Sequence, residues 1–422
     1  MHPNALLDLS TELLRSVMKL DAPADGLVSM FFRKHRDLGA RERHTLAETT
    51  YTVLRQRLLM QHLAQNVKGA DGPPERRLAI LAWQGNDGFL RGALNPQELT
   101  WLAEANKIDR STLPDKLRHN LPDWLANPLR EQLADEFWPL VEELSRPAPL
   151  DLRVNDMKFK REEAQAVLAA AGIEAMATPH SPWGLRIAGK PALSKLPIFI
   201  GGGVEVQDEG SQLLALITDP KRGEMVVDFC AGAGGKTLAL GAAMRNTGRL
   251  YAFDVSGHRL ESLKPRLARS GLSNVHPAHI AHERDDRIKR LVGKIDRVLV
   301  DAPCSGLGTL RRNPDLKWRQ SPKAVEEMSA KQSAILASAA RLLKPGGRLV
   351  YATCSLLQAE NERVAAAFDA EHSVSFEPLP AACALEAAHV QASALLVAGP
   401  YLRLWPHRHH TDGFFAAVWQ KR

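Results

Sequence analysis

A glycine-dense turn at residues 228–237 constrains the fold of this chain more than any other segment. It joins an apolar run at 224–230 to a stretch with helical character. Glycines let the backbone pass close to a ligand, and the first turn of a helix offers N–H groups that have no partner within the helix. The segment therefore predicts a strand–turn–helix unit that binds a ligand where the helix begins.

Three kinds of site compete for this turn. A phosphate-binding loop of the form Gly-x-x-x-x-Gly-Lys-Thr needs a glycine five residues before Gly235, and Cys230 stands there. A dinucleotide fingerprint of the form Gly-x-Gly-x-x-Gly needs a glycine three residues after Gly234, and Thr237 stands there. The remaining interpretation is a nucleoside cofactor without a pyrophosphate, and S-adenosylmethionine fits it.

An acid at the end of the next apolar run supports this cofactor. Asp254 closes residues 249–254, where a carboxylate can accept hydrogen bonds from ribose hydroxyls. A glycine turn can also do no more than pack a helix on a strand. The order of Asp228, the turn and Asp254 favours S-adenosylmethionine over that alternative.

The pattern of the chain changes twice along its length. Residues 1–145 are helical throughout, and residues 150–205 predict a small α/β unit. From about residue 206 short apolar runs alternate with helical stretches, which predicts βαβ units and a mainly parallel sheet. Strands are predicted at 224–230, 249–255, 297–303, 347–354 and 413–419.

Composition narrows the classes of partner and cofactor. The net charge is +7 with neutral histidine, which is typical of a protein with a polyanionic partner such as nucleic acid, although charge alone fits a merely solvated basic surface equally well. No apolar stretch is long enough for a membrane span, and the N-terminus lacks the pattern of a signal peptide, so we expect a cytoplasmic protein. Four cysteines are too few to crosslink this chain, and their spacing excludes zinc knuckles, so we expect reduced thiols and no metal site: Cys230, Cys304, Cys354 and Cys383.

Two of these cysteines end predicted strands. Cys304 follows Asp301 at the end of one strand, and Cys354 ends the next. Ligands of open α/β sheets bind beyond the carboxyl ends of strands, so both thiols face that crevice if the two strands are neighbours. One reaction needs such a pair: methylation of carbon 5 of a pyrimidine, in which a thiolate adds at carbon 6 and activates carbon 5. Asp301 would hold the edge of the base, or protonate or polarise its ring nitrogen.

Eight short segments carry a family resemblance, in the family's order. They are residues 206–212, 228–237, 301–306, 311–315 followed by Trp318, 344–347, 351–355, 360–362 and 412–415. With them, the region from Glu205 to the C-terminus resembles the RsmB/Sun family of RNA cytosine-5 methyltransferases.

The resemblance implies a class I methyltransferase domain at residues 206–422, Rossmann-like with a seven-stranded, mainly parallel sheet. It implies a NusB-like helical RNA-binding domain at 1–145 and a small RNA-binding module at 150–205. By resemblance, Cys354 is the nucleophile and Cys304 helps to release the product. The residues that would line the S-adenosylmethionine site are Cys230, Ala231, Gly232, Ala233, Gly234, Gly235, Lys236, Asp254 and Asp301.

The chain departs from the family at two places. Gly232-Ala233 replaces the usual Ala-Pro, which keeps the turn possible but loosens it. The family also has an acid near the adenine; Glu283 or Asp285 would take its place here, or His282 would occupy the position instead, and the choice is left open.

The sequence thus predicts an RNA cytosine-5 methyltransferase with ribosomal RNA as the substrate class and RNA contacts that include the basic strip at 311–312. A tRNA or DNA cytosine-5 methyltransferase is the first alternative, and in a DNA-type enzyme Cys304 alone would be essential. The second alternative is a catalytically silent RNA-binding assembly factor, which would not need both thiols. The oligomeric state stays open, with a monomer favoured.

Overall fold

The helical periodicity of the N-terminal third produces a helical unit in the structure, a computed structural model that describes residues 1–69, 72–189 and 191–422. This unit comprises Met1–Pro147 together with Thr309–Pro322. Its first ten helices are α1 (Pro3–Val17), α2 (Ala24–Lys34), α3 (Ala40–Arg55), α4 (Arg57–Asn66), α5 (Pro74–Leu81), α6 (Asp87–Arg91), α7 (Pro96–Lys107), α8 (Asp115–His119), α9 (Asp123–Leu133) and α10 (Phe137–Leu144) in the described part of the chain.

Local capping and a shared apolar core explain these helices. At the start of α7 the Asn95 side chain accepts from the Glu98 N–H, and the Glu98 carboxylate accepts from the Asn95 N–H. Leu7, Leu46 and Trp101 are fully buried members of one core cluster. Most of the helical stability therefore comes from packing of apolar faces.

Residues 309–322 are part of this helical unit, which sequence patterns did not predict. The Trp318 Nε1–H donates to the Leu54 carbonyl at 2.7 Å. Arg311 is 1% exposed, and its guanidinium forms an ion pair with Glu143. The predicted RNA contact at Arg311 is therefore wrong, because its charge is buried and balanced within the unit.

The second unit begins with the small α/β module. In the described residues its four-stranded antiparallel sheet has the order β2-β3-β1-β4. Leu152, Leu168 and Leu185 fill its core. The elements are β1 (Leu150–Val154), α11 (Arg161–Ala170), β2 (Ala175–Ala177), β3 (Gly184–Ile187), α12 (Pro197–Ile200) and β4 (Val204–Val206).

Polar contacts fasten the module to the rest of the second unit. The Glu205 carboxylate, 6% exposed, pairs with Arg266 at 3.1 Å and with Arg269 at 2.6 Å. The Asn155 side-chain amide donates to the Ser270 carbonyl at 3.2 Å. The module and the larger sheet are thus parts of one unit, Ala148–Gly308 with Lys323–Arg422.

The larger sheet has nine strands among the described residues, with the order β11-β12-β13-β9-β8-β5-β6-β7 and β10 paired to β13. The strands are β5 (Met225–Asp228), β6 (Arg249–Asp254), β7 (Val275–His279), β8 (Ile295–Asp301), β9 (Leu343–Thr353), β10 (Phe376–Pro378), β11 (Val397–Ala398), β12 (Tyr401–Leu404) and β13 (Phe414–Lys421). The remaining helices are α13 (Glu209–Thr218), α14 (Gly235–Ala243), α15 (Gly257–Ser270), α16 (Asp286–Lys289), α17 (Leu316–Arg319, in the helical unit), α18 (Pro322–Ala340), α19 (Glu362–His372), α20 (Ala381–Ala387) and α21 (Pro406–His409).

The class of fold is the predicted α/β class I methyltransferase, and the strand count is corrected. Strands β7, β6, β5, β8 and β9 are parallel, whereas β13 runs antiparallel to β9 and carries β10 and β12 antiparallel. The sheet is therefore mixed, and it has nine strands where seven were expected. Its central strands are buried on both faces, which explains their continuous apolar runs.

Candidate active site

The predicted site residues converge at the carboxyl edge of the parallel strands. Strand β5 lies between β6 and β8, and β8 pairs with β9. The turn after β5, Asp254 at the end of β6, Asp301 at the end of β8, and Cys354 just after β9 therefore end at one edge. In open α/β sheets this crevice, where the strand order reverses, is where ligands bind.

The glycine turn adopts a backbone that favours glycine. Gly232 has φ +56° and Gly234 has φ +83°, in the left-handed region. The Gly232 N–H donates to Asp254 Oδ2 at 2.8 Å, and the Ser256 N–H donates to Asp254 Oδ1 at 2.7 Å. Asp254 thus ties the turn to the end of the next strand, and the glycine that departs from the family pattern occupies a conformation that suits it.

Asp228 lies buried under the turn with an unsatisfied oxygen. Asp228 is 1% exposed, and its Oδ2 accepts a hydrogen bond from the Thr237 hydroxyl at 2.7 Å. Oδ1 has no hydrogen-bond partner among the described residues. Burial, helped by the nearby charges of Asp301 and Asp254, raises the pKa of Asp228 to about 7, against the Thr237 hydrogen bond and the charge of Lys236, which lower it. An unsatisfied carboxylate oxygen beside two more carboxylates fits a cationic ligand such as S-adenosylmethionine, which carries an ammonium and a sulfonium.

Replacing Asp228 with asparagine is expected to make the stability of the ligand-free protein less dependent on pH. The folded carboxyl, with its raised pKa of about 7, keeps its proton while the unfolded one ionises, so stability falls as the pH rises toward and through about 7. Asparagine keeps an acceptor for Thr237 and does not titrate. Thermal unfolding at about pH 5.5 and about pH 8.5 should show a larger loss for the wild type than for the variant, and equal losses would contradict the raised pKa.

Lys236 and Asp301 form an ion pair beside the turn. Lys236 Nζ lies 2.7 Å from Asp301 Oδ2, with the two side chains 12% and 28% exposed. Burial acts to lower the pKa of Lys236, but the charge and hydrogen bond of Asp301, with the charges of Cys354 and Asp228, raise it overall. Lys236 is therefore an ammonium group held within the electrostatic reach of Cys354.

The two strand-end thiols are adjacent. Cys304 Sγ and Cys354 Sγ lie 3.4 Å apart, because the register of β8 and β9 places Asp301 beside Ala352 just before the two cysteines. The condition stated from the sequence, that the two strands be neighbours, is met. Both residues are half-buried, whereas Cys383 is exposed on α20.

The environment of Cys304 favours the neutral form of its thiol. The pKa of Cys304 is raised well above its usual range, foremost by the hydrogen bond with Cys354, then by burial and by the charges of Cys354 and Glu360, while the Gly306 N–H opposes. Burial, followed by the charges of Asp301 and Asp228, also raises the pKa of Cys230. Cys304 and Cys230 are thus held as neutral thiols.

A close backbone contact fixes the Cys354 loop. The Gly308 N–H donates to the Cys354 carbonyl at 2.8 Å. A Cβ atom at Gly308 would lie 2.0 Å from the Gly413 carbonyl oxygen, so only glycine fits. This contact joins the residues just after segment 301–306 to the segments 351–355 and 412–415, and all three segments carried the resemblance.

The acid expected near the adenine stays a prediction. The Asp285 carboxylate accepts from the Ala281 and Arg287 N–H groups at 3.0 and 2.9 Å, and these bonds lower its pKa. Its oxygens thus cap α16 and close the loop before it. His282 Nδ1 accepts from the Arg284 N–H at 3.1 Å, and Glu283 lies between these two residues.

Sequence reasoning gave no role to Glu360, which is fully buried and bonded to Ser305 and Ser355, the residues that follow the two cysteines. Its only sequence signal was its place in the segment 360–362.

In the described residues, no group of three or more histidine, cysteine or acidic side chains is placed to hold a metal ion. Within the same residues, no helix combines the length and apolarity that crossing a membrane requires.

A glycine-rich turn at the switch point of such a sheet is typical of a class I methyltransferase, whose cofactor is S-adenosylmethionine. A family model described as 16S rRNA methyltransferase RsmB/F matches residues 215–420, and one described as an RsmF/B-like ferredoxin-like domain matches residues 121–194. A probable ribosomal RNA small subunit methyltransferase B of Synechocystis is 32% identical over 97% of this chain and 98% of that protein. A probable methyltransferase B of Bacillus subtilis is 34% identical over 81% of this chain and 76% of that protein. The chain belongs to the RsmB/F family.

Solved structures agree with this assignment. The crystal structure of PH0851 has a TM-score of 0.80 at 28% identity and covers 100% of this chain and 99% of its own. A methyltransferase homolog protein from Pyrococcus horikoshii has a TM-score of 0.63 at 29% identity and covers 75% of this chain and 100% of its own.

Proposed function

We propose that this protein methylates carbon 5 of a cytosine in ribosomal RNA, through a covalent bond between Cys354 and carbon 6 of the base. The observation that carries the proposal is the pair of thiols 3.4 Å apart at the carboxyl edge of the sheet. A single thiol at this edge would suit many roles. Two adjacent thiols beside the cofactor turn suit a reaction in which one sulfur bonds to carbon and the other accepts a proton.

The charges around the pair support Cys354 as the nucleophile. Lys236 is an ammonium group whose pKa Cys354 helps to raise, so a thiolate on Cys354 gains a nearby cation. Cys304 is held as the protonated partner. Addition of the Cys354 thiolate to carbon 6 makes carbon 5 nucleophilic. S-adenosylmethionine, when bound, supplies an electrophilic methyl group on a sulfonium centre.

Cys304 is the residue proposed to release the methylated base from Cys354. While Cys354 is a free thiol or thiolate, its hydrogen bond is the foremost cause of the raised pKa of Cys304. Once the Cys354 sulfur is bonded to carbon 6, that hydrogen bond no longer opposes ionisation of Cys304. Cys304 then loses its own proton to solvent and, as the thiolate, accepts the carbon 5 proton. The electrons of that carbon–hydrogen bond restore the double bond between carbons 5 and 6, the carbon 6–sulfur bond breaks, and Cys354 leaves as the thiolate.

The names of the relatives support ribosomal RNA of the small subunit as the substrate, and hence a cytoplasmic site of action. The helical unit and the module at 150–205 are proposed as the parts that bind this RNA. Because residues 309–322 pack within the helical unit, deletion of residues 1–145 would remove the Glu143 partner of the buried Arg311 and the Leu54 carbonyl that Trp318 binds, and it is a poor test of that role.

The reaction is tested with 16S rRNA transcripts and S-adenosylmethionine labelled in the methyl group. Bisulfite sequencing of the product should show a protected cytosine that is absent without enzyme. Label at a ring nitrogen, at an exocyclic amine or on a ribose would contradict the cytosine-5 proposal.

Replacing Asp254 with alanine is expected to weaken S-adenosylmethionine binding by about 1–3 kcal/mol, because the Gly232 N–H of the turn and the Ser256 N–H lose their acceptor, together with any ribose bonds. Titration calorimetry on the full chain measures the loss. Glu261→Ala is the matched control, since Glu261 is an exposed acid on α15 that pairs with Lys264 one turn further along the same helix. Equal affinity in the wild type and Asp254→Ala would show that Asp254 does not shape the cofactor site.

A further inference from the structure

One buried carboxylate lies behind both cysteine loops. Glu360 is 0% exposed. Its Oε1 accepts from the Ser305 N–H at 2.7 Å, and its Oε2 accepts from the hydroxyls of Ser305 and Ser355. Ser305 directly follows Cys304, and Ser355 directly follows Cys354. A single side chain therefore holds the neighbour of each thiol.

A third element completes this arrangement. The Gln332 side-chain amide, on α18, donates to Glu360 Oε1 at 3.1 Å and to the Pro303 carbonyl at 2.9 Å. The Tyr351 hydroxyl lies 3.0 Å from the Gln332 amide oxygen. The residue before Cys304 is thus held by the same network as the residue after it.

The neighbouring Asn361 uses its side chain to bind the loop that contains Cys354. Its side-chain amide donates to the Ser355 carbonyl at 2.9 Å, and its oxygen is paired with the Thr353 hydroxyl. Thr353 and Ser355 flank Cys354 in the sequence. The consecutive residues Glu360 and Asn361 therefore hold both cysteine loops: Glu360 bonds to both, and Asn361 bonds to the loop of Cys354.

The pair also stands between charges of opposite sign. The negative charge of Glu360 acts on Cys304 and helps to raise its pKa, after the hydrogen bond with Cys354, burial and the charge of Cys354. The positive charge of Lys236 acts on Cys354. Glu360 thus contributes both to the distance between the thiols and to the difference between them.

We propose that Glu360 is a positioning residue that holds Cys304 and Cys354 side by side, so that one thiol attacks and the other stays in place for release. The inference rests on the proposed cytosine-5 mechanism. Glu360 touches neither sulfur in a bonding contact and acts through Ser305 and Ser355. Displacement of a reacting group by about 1 Å can cost about a hundredfold in rate, so a fixed loop pair is a requirement of such a site.

Glu360→Gln tests the role, because glutamine keeps the shape, removes the charge and replaces one acceptor with a donor. Initial rates of iodoacetamide alkylation at Cys304 and Cys354, resolved by peptide mass spectrometry on the full chain, are the readout. We expect the wild type to alkylate faster at Cys354. In Glu360→Gln the ratio of the two rates should fall at least fivefold, because Cys304 loses a neighbouring anion and ionises more readily. In methylation assays kcat should fall about tenfold or more with KM for S-adenosylmethionine unchanged.

Glu209→Gln is the matched control. Glu209 is also 0% exposed and accepts from the N–H groups of His180 and Ser181 at 2.6 and 2.7 Å. It bonds to neither cysteine loop, so its loss should affect stability and leave the alkylation ratio unchanged. If Glu360→Gln does not fold, Ser355→Ala replaces it, since it frees the Cys354 loop at one hydrogen bond and should lower the ratio in the same direction.

The outcomes separate the two proposals. An alkylation ratio in Glu360→Gln or Ser355→Ala equal to that of the wild type would overturn the positioning role and leave the cytosine-5 mechanism standing. A change in Glu209→Gln as large as in Glu360→Gln would also overturn it, since loss of any buried carboxylate would then suffice. The cytosine-5 mechanism fails by a different result, the absence of a covalent RNA adduct in every cysteine variant.

Discussion

Cys354→Ala is expected to abolish methyl transfer and the covalent protein–RNA species together. Without the sulfur no bond to carbon 6 can form, and carbon 5 is then too weak a nucleophile to accept a methyl group. Methyl incorporation into 16S rRNA and a denaturing gel of the protein–RNA mixture measure the two effects. Cys383→Ala is the control, because Cys383 is an exposed cysteine on α20 and should have wild-type activity.

Cys304→Ala should behave differently at the same site. Attack by Cys354 and methyl transfer remain possible, but the carbon 5 proton loses its acceptor, so the enzyme stays bonded to the methylated RNA. A slower band should therefore accumulate on the denaturing gel, only with RNA and S-adenosylmethionine present. An adduct trapped in Cys354→Ala and absent in Cys304→Ala would instead make Cys304 the nucleophile, as in DNA enzymes. Full activity in both variants would favour an RNA-binding assembly factor.

Features of the site that depend on local patterns could be predicted from the sequence. The turn at 228–237, Asp254 and Asp301 each follow an apolar strand, and parallel strands end at one edge of a sheet. The distance between the two thiols depended on the pairing of β8 with β9, which the sequence could state only as a condition. Order along the chain is local information, whereas strand adjacency is not.

Other features have no local signal. Arg311-Arg312 has the composition of a solvated basic strip, yet Arg311 is buried against Glu143. Only tertiary contacts decide whether such an arginine is exposed or buried. Strands β10 and β11 have three and two residues, too few for an alternating pattern to appear. The role proposed for Glu360 likewise depends on hydrogen bonds to Ser305, 55 residues away in the sequence.

The ion pair between Lys236 and Asp301 should be the next most sensitive feature after the thiols. Asp301→Asn removes the carboxylate proposed to hold the edge of the base and leaves Lys236 without its principal counter-charge. We expect kcat to fall by about a hundredfold or more, the scale of a lost proton-transfer or base-polarising group. Steady-state methylation with S-adenosylmethionine varied at saturating RNA measures this. A raised KM for S-adenosylmethionine with unchanged kcat would instead limit Asp301 to cofactor binding.

Lys236→Met should also lower activity. Lys236 Nζ lies 2.7 Å from Asp301 Oδ2, and it keeps its charge because Asp301 and its other anionic neighbours raise its pKa against burial. Methionine removes the cation, so Asp301 loses its counter-charge, and we expect kcat to fall about tenfold or more in steady-state methylation. Lys236→Arg retains the positive charge and should recover part of the activity. A kcat for Lys236→Met equal to that of the wild type would show that the reaction does not need this cation.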